Sequence, residues 1–225
     1  MKALFVPFVC LTMLMVGCGR SHYEQMSKYH DDGRAKPVVV FTSIYDRNGI
    51  ELPWKLSDDL SFTIKNRLAK RSNMYIISDA HLVSLEQHIQ AGENPFIGDA
   101  NWMKSAYSDG EFVAFLELIE HKIHPKQSGR SLFDVITPSY LLDMTMRVRV
   151  FDLRGAKPEI VLQEIVKQSH MIPRQIARMD FKKAKWGKKA YGISPLGLAH
   201  GHLLKEVGRR IEDYVLLAKS HSHAR

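Results

Sequence analysis

The sequence predicts an α/β (α+β) fold, a mixed sheet of about five strands in the order β-α-β-α-β-β-β-α with helices packed on it. Three observations carry that expectation. Residues 37–44 (Pro-Val-Val-Val-Phe-Thr-Ser-Ile) form a continuous β-branched and aromatic run, as expected of a central strand buried on both faces. Residues 140–152 alternate, with Leu142, Met144, Met146, Val148 and Val150 on one side and Asp143, Thr145, Arg147 and Arg149 on the other. That is the pattern of a half-buried strand. Toward the end of the chain, Leu203, Leu204, Val207, Ile211, Tyr214 and Val215 form an apolar stripe at helical spacing.

The other elements follow in order. After the first strand, Asp46-Arg47-Asn48-Gly49 reads as a turn. Ser57 suits the N-cap of a helix whose first turn holds Asp58 and Asp59, favourable at the positive end of the helix dipole. Leu60, Ile64 and Leu68 line one face, and Lys70 and Arg71 close the last turn. Residues 73–78 are a second strand. Asp79 can cap a second helix carrying Leu82, Leu85 and Ile89, with Gly92 as its stop. Residues 99–106 are a short helix, residues 111–123 a strand, and residues 125–138 a loop. Arg154-Gly155-Ala156-Lys157-Pro158 turns the alternating strand into another over residues 159–170. Ser194 and Pro195 start the final helix.

The first eighteen residues say most about function. Lys2 is followed by an apolar run from Ala3 to Val16 and then by Gly17-Cys18, the three parts of an export signal. Leu14-Met15-Val16-Gly17-Cys18 resembles the lipobox of bacterial lipoproteins. In that family the cysteine sulfur receives a diacylglyceryl group, the peptide is cut before it, and the new amino group is usually acylated. The resemblance implies a signal peptide over residues 1–17, a lipidated Cys18 and a flexible tether over 18–36. One α/β domain over 37–219 and a frayed tail over 220–225 complete the chain. An ordinary secretory signal and an uncleaved anchor are the alternatives, although the run is shorter than the roughly 18–20 residues of a spanning helix. No second apolar segment of that length follows.

The cysteine count agrees. There are two, and Cys10 leaves with the signal while Cys18 becomes a thioether, so no disulfide or cysteine metal site is expected. Covalent lipid is the only bound group expected, and no cofactor. Multiple acyl chains give lasting attachment at about 0.8 kcal/mol per buried methylene. The formal charge of +8 would ordinarily point to nucleic acid, but export removes the chain from it. The expected partners are the membrane through the lipid anchor, and an envelope protein or an anionic envelope glycan. Gly19 follows the cysteine where inner-membrane retention commonly uses Asp, which favours an outer-membrane anchor with the domain facing the periplasm.

Residues 37–172 also resemble the family of the curli-secretion lipoprotein CsgG. The amino-terminal domain of the Tol-system protein TolB and the lipoprotein activators of peptidoglycan synthases are built similarly. The resemblance rests on Val38–Ile44, the helix over 56–70, Met74–Ile77, the Leu82/Leu85 helix, and the hairpin over 140–152 followed by Gly155. Phe115 and Leu116 stand where those families usually carry a glycine. The long glycine-rich insertions that build a pore are absent, and the 125–138 loop is too short to replace them. The resemblance therefore implies the fold and the lipoprotein lifestyle, not the pore.

Catalytic patterns are weak, and the chain is read as non-enzymatic. Gly192-Ile193-Ser194-Pro195-Leu196-Gly197 lacks the spacing of a nucleophile elbow and suits a helix cap. There is no Walker A loop and no G-x-G-x-x-G. His121/His124, His200/His202 and His221/His223 have chelating spacings, but no nearby carboxylate completes a site, and His200 and His202 point to different helix faces. Glu117 and Glu120 have opposite strand parity, so they should not face each other. The candidate binding surface is Phe181, Lys182, Lys183, Lys185, Trp186, Lys188, Lys189 and Tyr191, with Arg174 and Arg178 upstream. Five lysines around three aromatics suit an anionic partner with an aromatic anchor. The alternative is a solvated loop whose aromatics pack onto the domain. The function expected is a binding or adaptor domain. An oligomeric component of an envelope secretion or assembly machine is the alternative, and an envelope hydrolase a weaker one.

Overall fold

A computed structural model of the chain describes residues 26–47, 54–77, 84–126, 139–173 and 185–221. The leader with Cys18, and Asn48, Gly49, Asp79, Leu82, Arg174, Arg178, Phe181, Lys182, Lys183 and His223, lie outside the described residues, as does most of the 125–138 loop.

The elements are β1 (Val38–Phe41), β2 (Tyr45–Asp46), α1 (Leu56–Arg71), β3 (Tyr75–Ile77), α2 (Leu85–Gln90), α3 (Trp102–Ala106), β4 (Phe112–Pro125), β5 (Ser139–Asp152), β6 (Glu159–Pro173), α4 (Lys189–Gly192) and α5 (Pro195–His221). The strands form one mixed sheet in the order β3-β1-β4-β5-β6, with β2 beside β4. β1 runs parallel to both β3 and β4, while β4, β5 and β6 form an antiparallel meander. The predicted α/β class and element order hold. The sixth strand is the two-residue β2: Asp46, expected in a turn, pairs with Leu118.

Helices cover both faces. On one, Leu60, Ile64 and Leu68 of α1 and Leu203, Leu204, Val207, Ile211 and Val215 of α5 bury against Val39, Phe41, Leu116, Met144, Met146 and Val148. Gly208 of α5 faces Ile64 and Leu68 of α1, whose side chains would be in ordinary contact, at 3.7 Å, with a Cβ at that position. Asn73 and Arg71 both reach Glu212 of α5 at 2.6 Å, tying the end of α1 to that helix. On the other face Val40, Val113, Phe115 and Phe151 meet Leu85, Phe96, Met103 and Tyr107.

Several local expectations are corrected. α1 starts one residue before Ser57, with Lys55 at the cap position and no side-chain cap. Ser57 is buried in the first turn, where its carbonyl accepts from the Ser61 hydroxyl, itself the acceptor for the Ile44 amide. α2 is capped by Ser84, in a capping box with Gln87, and Gly92 follows its end with φ +86°. Tyr214 lies off the buried stripe and is 38% exposed, being turned to the side of Ile211 away from Val215. Residues 26–36, expected in the tether, fold onto the domain: Tyr29 bridges Ala35, Met26 packs on the core and Lys36 donates to Ser72. At the other end α5 runs on to His221.

A β-bulge changes the most. The register of β4 against β5 slips between Leu118 and Glu120, so Glu117 faces Arg147 and Glu120 faces Thr145. Those partners are two apart on β5, so the two glutamates share a face, contrary to their parity in the sequence. Each is engaged: Glu117 sits 3.1 Å from Arg147, and Glu120 accepts from the Thr145 hydroxyl at 3.0 Å. The same slip turns His121 onto the α5 side, opposite Met144.

Candidate functional site

The start of α5 organises the lysine-rich region. The Ser194 hydroxyl accepts from the Gly197 amide at 3.0 Å and donates to the Tyr191 carbonyl at 2.7 Å, so one side chain caps α5 and closes the turn before it. Gly197 makes that fold-back possible. A Cβ there would lie 2.0 Å from the Tyr191 carbonyl oxygen. The glycine and serine of the elbow-like hexapeptide are thus accounted for by a helix start. α4 then lies against α5 and directs Tyr191 into the core.

The aromatics of this segment point inward. Tyr191 is 3% exposed and meets Trp54 edge-on at 6.0 Å and Trp186 at 5.1 Å. Trp186 is half-buried, and its indole N–H donates to Thr63 of α1 at 3.0 Å. Tyr191, expected at the partner surface, therefore offers no surface, because its ring is needed to seat the turn. Lys185, Lys188 and Lys189 are exposed. Of the expected binding surface, the structure brings these three lysines together around a packed Trp186.

Beneath Trp186 lies an arrangement the sequence did not reveal. His200, fully buried, has its Nδ1 2.6 Å from the Tyr191 hydroxyl and its Nε2 2.8 Å from Nε2 of His121. Trp186 lies over the His200 ring, centroids 5.5 Å apart. Burial pushes His200 well below the ordinary imidazole range, and the nearby His121 and His170 add to this. His121 is lowered too, chiefly by burial. His202, on another face of α5 as expected, meets His170 of β6 edge-on at 5.6 Å. His124 lies 3.4 Å from Asp143. Among the described residues no group of three or more His, Cys, Asp or Glu is placed to hold a metal ion. One signal for the pair was available. Strict alternation after Leu116 and Leu118 would bury Glu120, and burying an unpaired carboxylate is costly enough to favour a bulge.

A cleft lies at the carboxyl end of β1, where the chain leaves to one side for β3 and β4 lies on the other. In open α/β sheets such switch points form crevices. The cleft measures about 400 Å³ and is lined by Ser43–Asp46, the first turn of α1 and Ser84–Glu86. Asp46, Asp58 and Glu86 outnumber Lys55, which pairs with Asp58 at 3.5 Å, so the lining does not suit an anion. On the sheet face away from α5, Arg47 and Arg147 flank the buried Glu117. No helix among the described residues is long and apolar enough to cross a membrane.

Comparison with known proteins gives few landmarks. The structure of the hypothetical protein CT253 from Chlamydia trachomatis matches with a TM-score of 0.63 and 28% identity, over 80% of this chain and 98% of that one. The lipoprotein GNA1162 from Neisseria meningitidis matches at 12% identity and a TM-score of 0.37, covering 79% of this chain and 99% of that one. A minor lipoprotein from Acinetobacter baumannii matches at 9% and 0.39, covering 80% and 92%. At those two scores a common fold does not follow. No curated protein matches the chain. The agreement with a family over residues 25–219 spans nearly the whole described domain, and the chain belongs to the family of unknown function DUF7499.

Proposed function

We propose that this is a lipid-anchored cell-envelope protein whose α/β domain is a non-enzymatic binding or adaptor module. The observation that carries the reading is the leader ending in Leu14-Met15-Val16-Gly17-Cys18, directly ahead of a domain that begins within ten residues. Cys18 is the attachment point and the outer membrane the favoured site, with the domain in the periplasm. Metabolic labelling with a clickable fatty acid tests it. Label is expected in the native chain and lost in Cys18→Ala; label that survives the substitution overturns the anchor.

Lys185, Lys188 and Lys189, continued by Phe181, Lys182 and Lys183, form the surface toward an anionic envelope protein or glycan. The exposure of the first three supports this. Trp186 supports the surface from beneath. Changing Lys182, Lys183, Lys185, Lys188 and Lys189 to Ser should leave folding intact. Co-sedimentation with purified envelope fractions should weaken and lose its salt dependence. Undiminished, salt-sensitive binding would remove the lysines from the surface.

A second reading has its own observation. Among the described residues β6 is one of the two sheet edges, is fifteen residues long, and carries the exposed Ile160, Ile165 and Met171. Edges of this kind are templates for further pairing. That favours an oligomeric component of an envelope assembly or secretion machine. Light scattering on protein from residue 19 onward separates the readings. A ring of fixed stoichiometry, dispersed by Ile165→Lys, supports the second, and a monomer supports the first.

A further inference from the structure

Besides the Trp186–Thr63 hydrogen bond and the packing of the Tyr191 ring, the segment over residues 185–193 is tied to the domain by a file of buried polar contacts. The Tyr191 hydroxyl meets His200, and His200 meets His121, each contact being one hydrogen bond wide. With both rings neutral the file closes in either tautomeric direction, because every shared position then holds one hydrogen. Met144 of β5 lies opposite His121. The titratable groups around the pair are Asp46 on β2, His170 on β6, His202 on α5, Tyr191 on α4 and, beyond it, Asp59 on α1. Asp46 acts on His121 and favours its charged form, whereas the charged neighbours that act on His200 are His121 and His170, and both oppose it.

We propose that Tyr191, His200 and His121 form an acid-sensitive latch, which keeps the 185–193 segment seated on α1 and α5 while both imidazoles are neutral and releases it when the pair takes up a proton. A proton on His200 places a charge at a fully buried position whose charged neighbours, His121 and His170, oppose it. A second would set two N–H groups against each other at 2.8 Å. Lifting Tyr191 and Trp186 admits water to His200 and relieves both. The inference is independent of what the lysines bind.

The sign follows from linkage. The seated pair holds protons less well than free imidazole, so the released state binds more of them. Seating is complete above the ordinary imidazole value of about 6.5 and weakens as the pH falls below it.

Hydrogen–deuterium exchange on the full chain at pH 7.5 and 5.5, corrected for intrinsic exchange, reads the latch directly. The amides of Tyr191, Gly192, Ile193 and Ser194, all hydrogen-bonded within the segment, should lose tenfold or more of their protection at the lower pH. Those of β4 should not. His200→Gln keeps a polar side chain without the titration and should abolish the difference. His121→Gln serves if that variant does not fold. Equal loss in the segment and β4 overturns the latch. So does a His200 resonance titrating at 6.5 or above with the segment still seated.

Discussion

The two faces of the sheet are covered in different ways. Under α1 and α5 the core is aliphatic and built from long elements: sixteen and twenty-seven residues of helix lay rows of Leu, Ile and Val onto three long strands. Under α2 and α3 it is aromatic. Two helices of six and five residues cannot supply rows, so single large rings span the space. Phe115 touches Trp102, Tyr107 and Phe151 with centroids 5.7–6.1 Å apart, and His88 stacks on Trp102 at 4.6 Å. Long helices distribute burial over many small contributions, whereas short ones concentrate it in a few rings that each bury far more area.

Substitutions should expose that difference. Phe115→Ala removes the ring on which the aromatic side converges, and about 3–5 kcal/mol should be lost in denaturant titration. Ile64→Ala, one of many aliphatic contacts under α5, should lose about 2–5 kcal/mol and sit toward the lower end, since neighbouring side chains can close in. A loss for Ile64→Ala larger than that for Phe115→Ala would contradict the contrast. Gly197→Ala should cost about 1–3 kcal/mol by driving a methyl into the Tyr191 carbonyl, with loss of Trp186 burial seen by fluorescence quenching.

Smaller effects sharpen the aromatic side. Ser84→Ala removes the capping box of α2 and should cost about 1 kcal/mol, with exchange rising in α2 before α5. Tyr107→Phe should be neutral or slightly stabilising. The hydroxyl is buried with no hydrogen-bond partner among the described residues, and removing such a group relieves a desolvation cost of about 1–3 kcal/mol. A clear loss on Tyr107→Phe would reveal a partner for that oxygen.

The contrast also explains what could be read in the sequence. Leu60, Ile64 and Leu68, the alternation from Leu142 to Val150 and the stripe ending at Val215 all lie on long elements, where periodicity reports the buried face. Phe96 and Tyr107 lie between elements, where no period exists to flag them. The His121–His200 contact joins positions 79 apart and depends on a bulge that reverses the parity of everything after Leu118. The lysine segment was legible as charge, but not the inward turn of Tyr191, which depends on Gly197 and Ser194. The leader is the opposite case: its meaning lies in residue order alone.

The intact mass of the chain isolated from native membranes tests the envelope reading most directly. The expected species begins at Cys18 and carries a diacylglyceryl thioether, with or without an acylated amino group. A mature chain that begins elsewhere, or an unmodified Cys18, would contradict it.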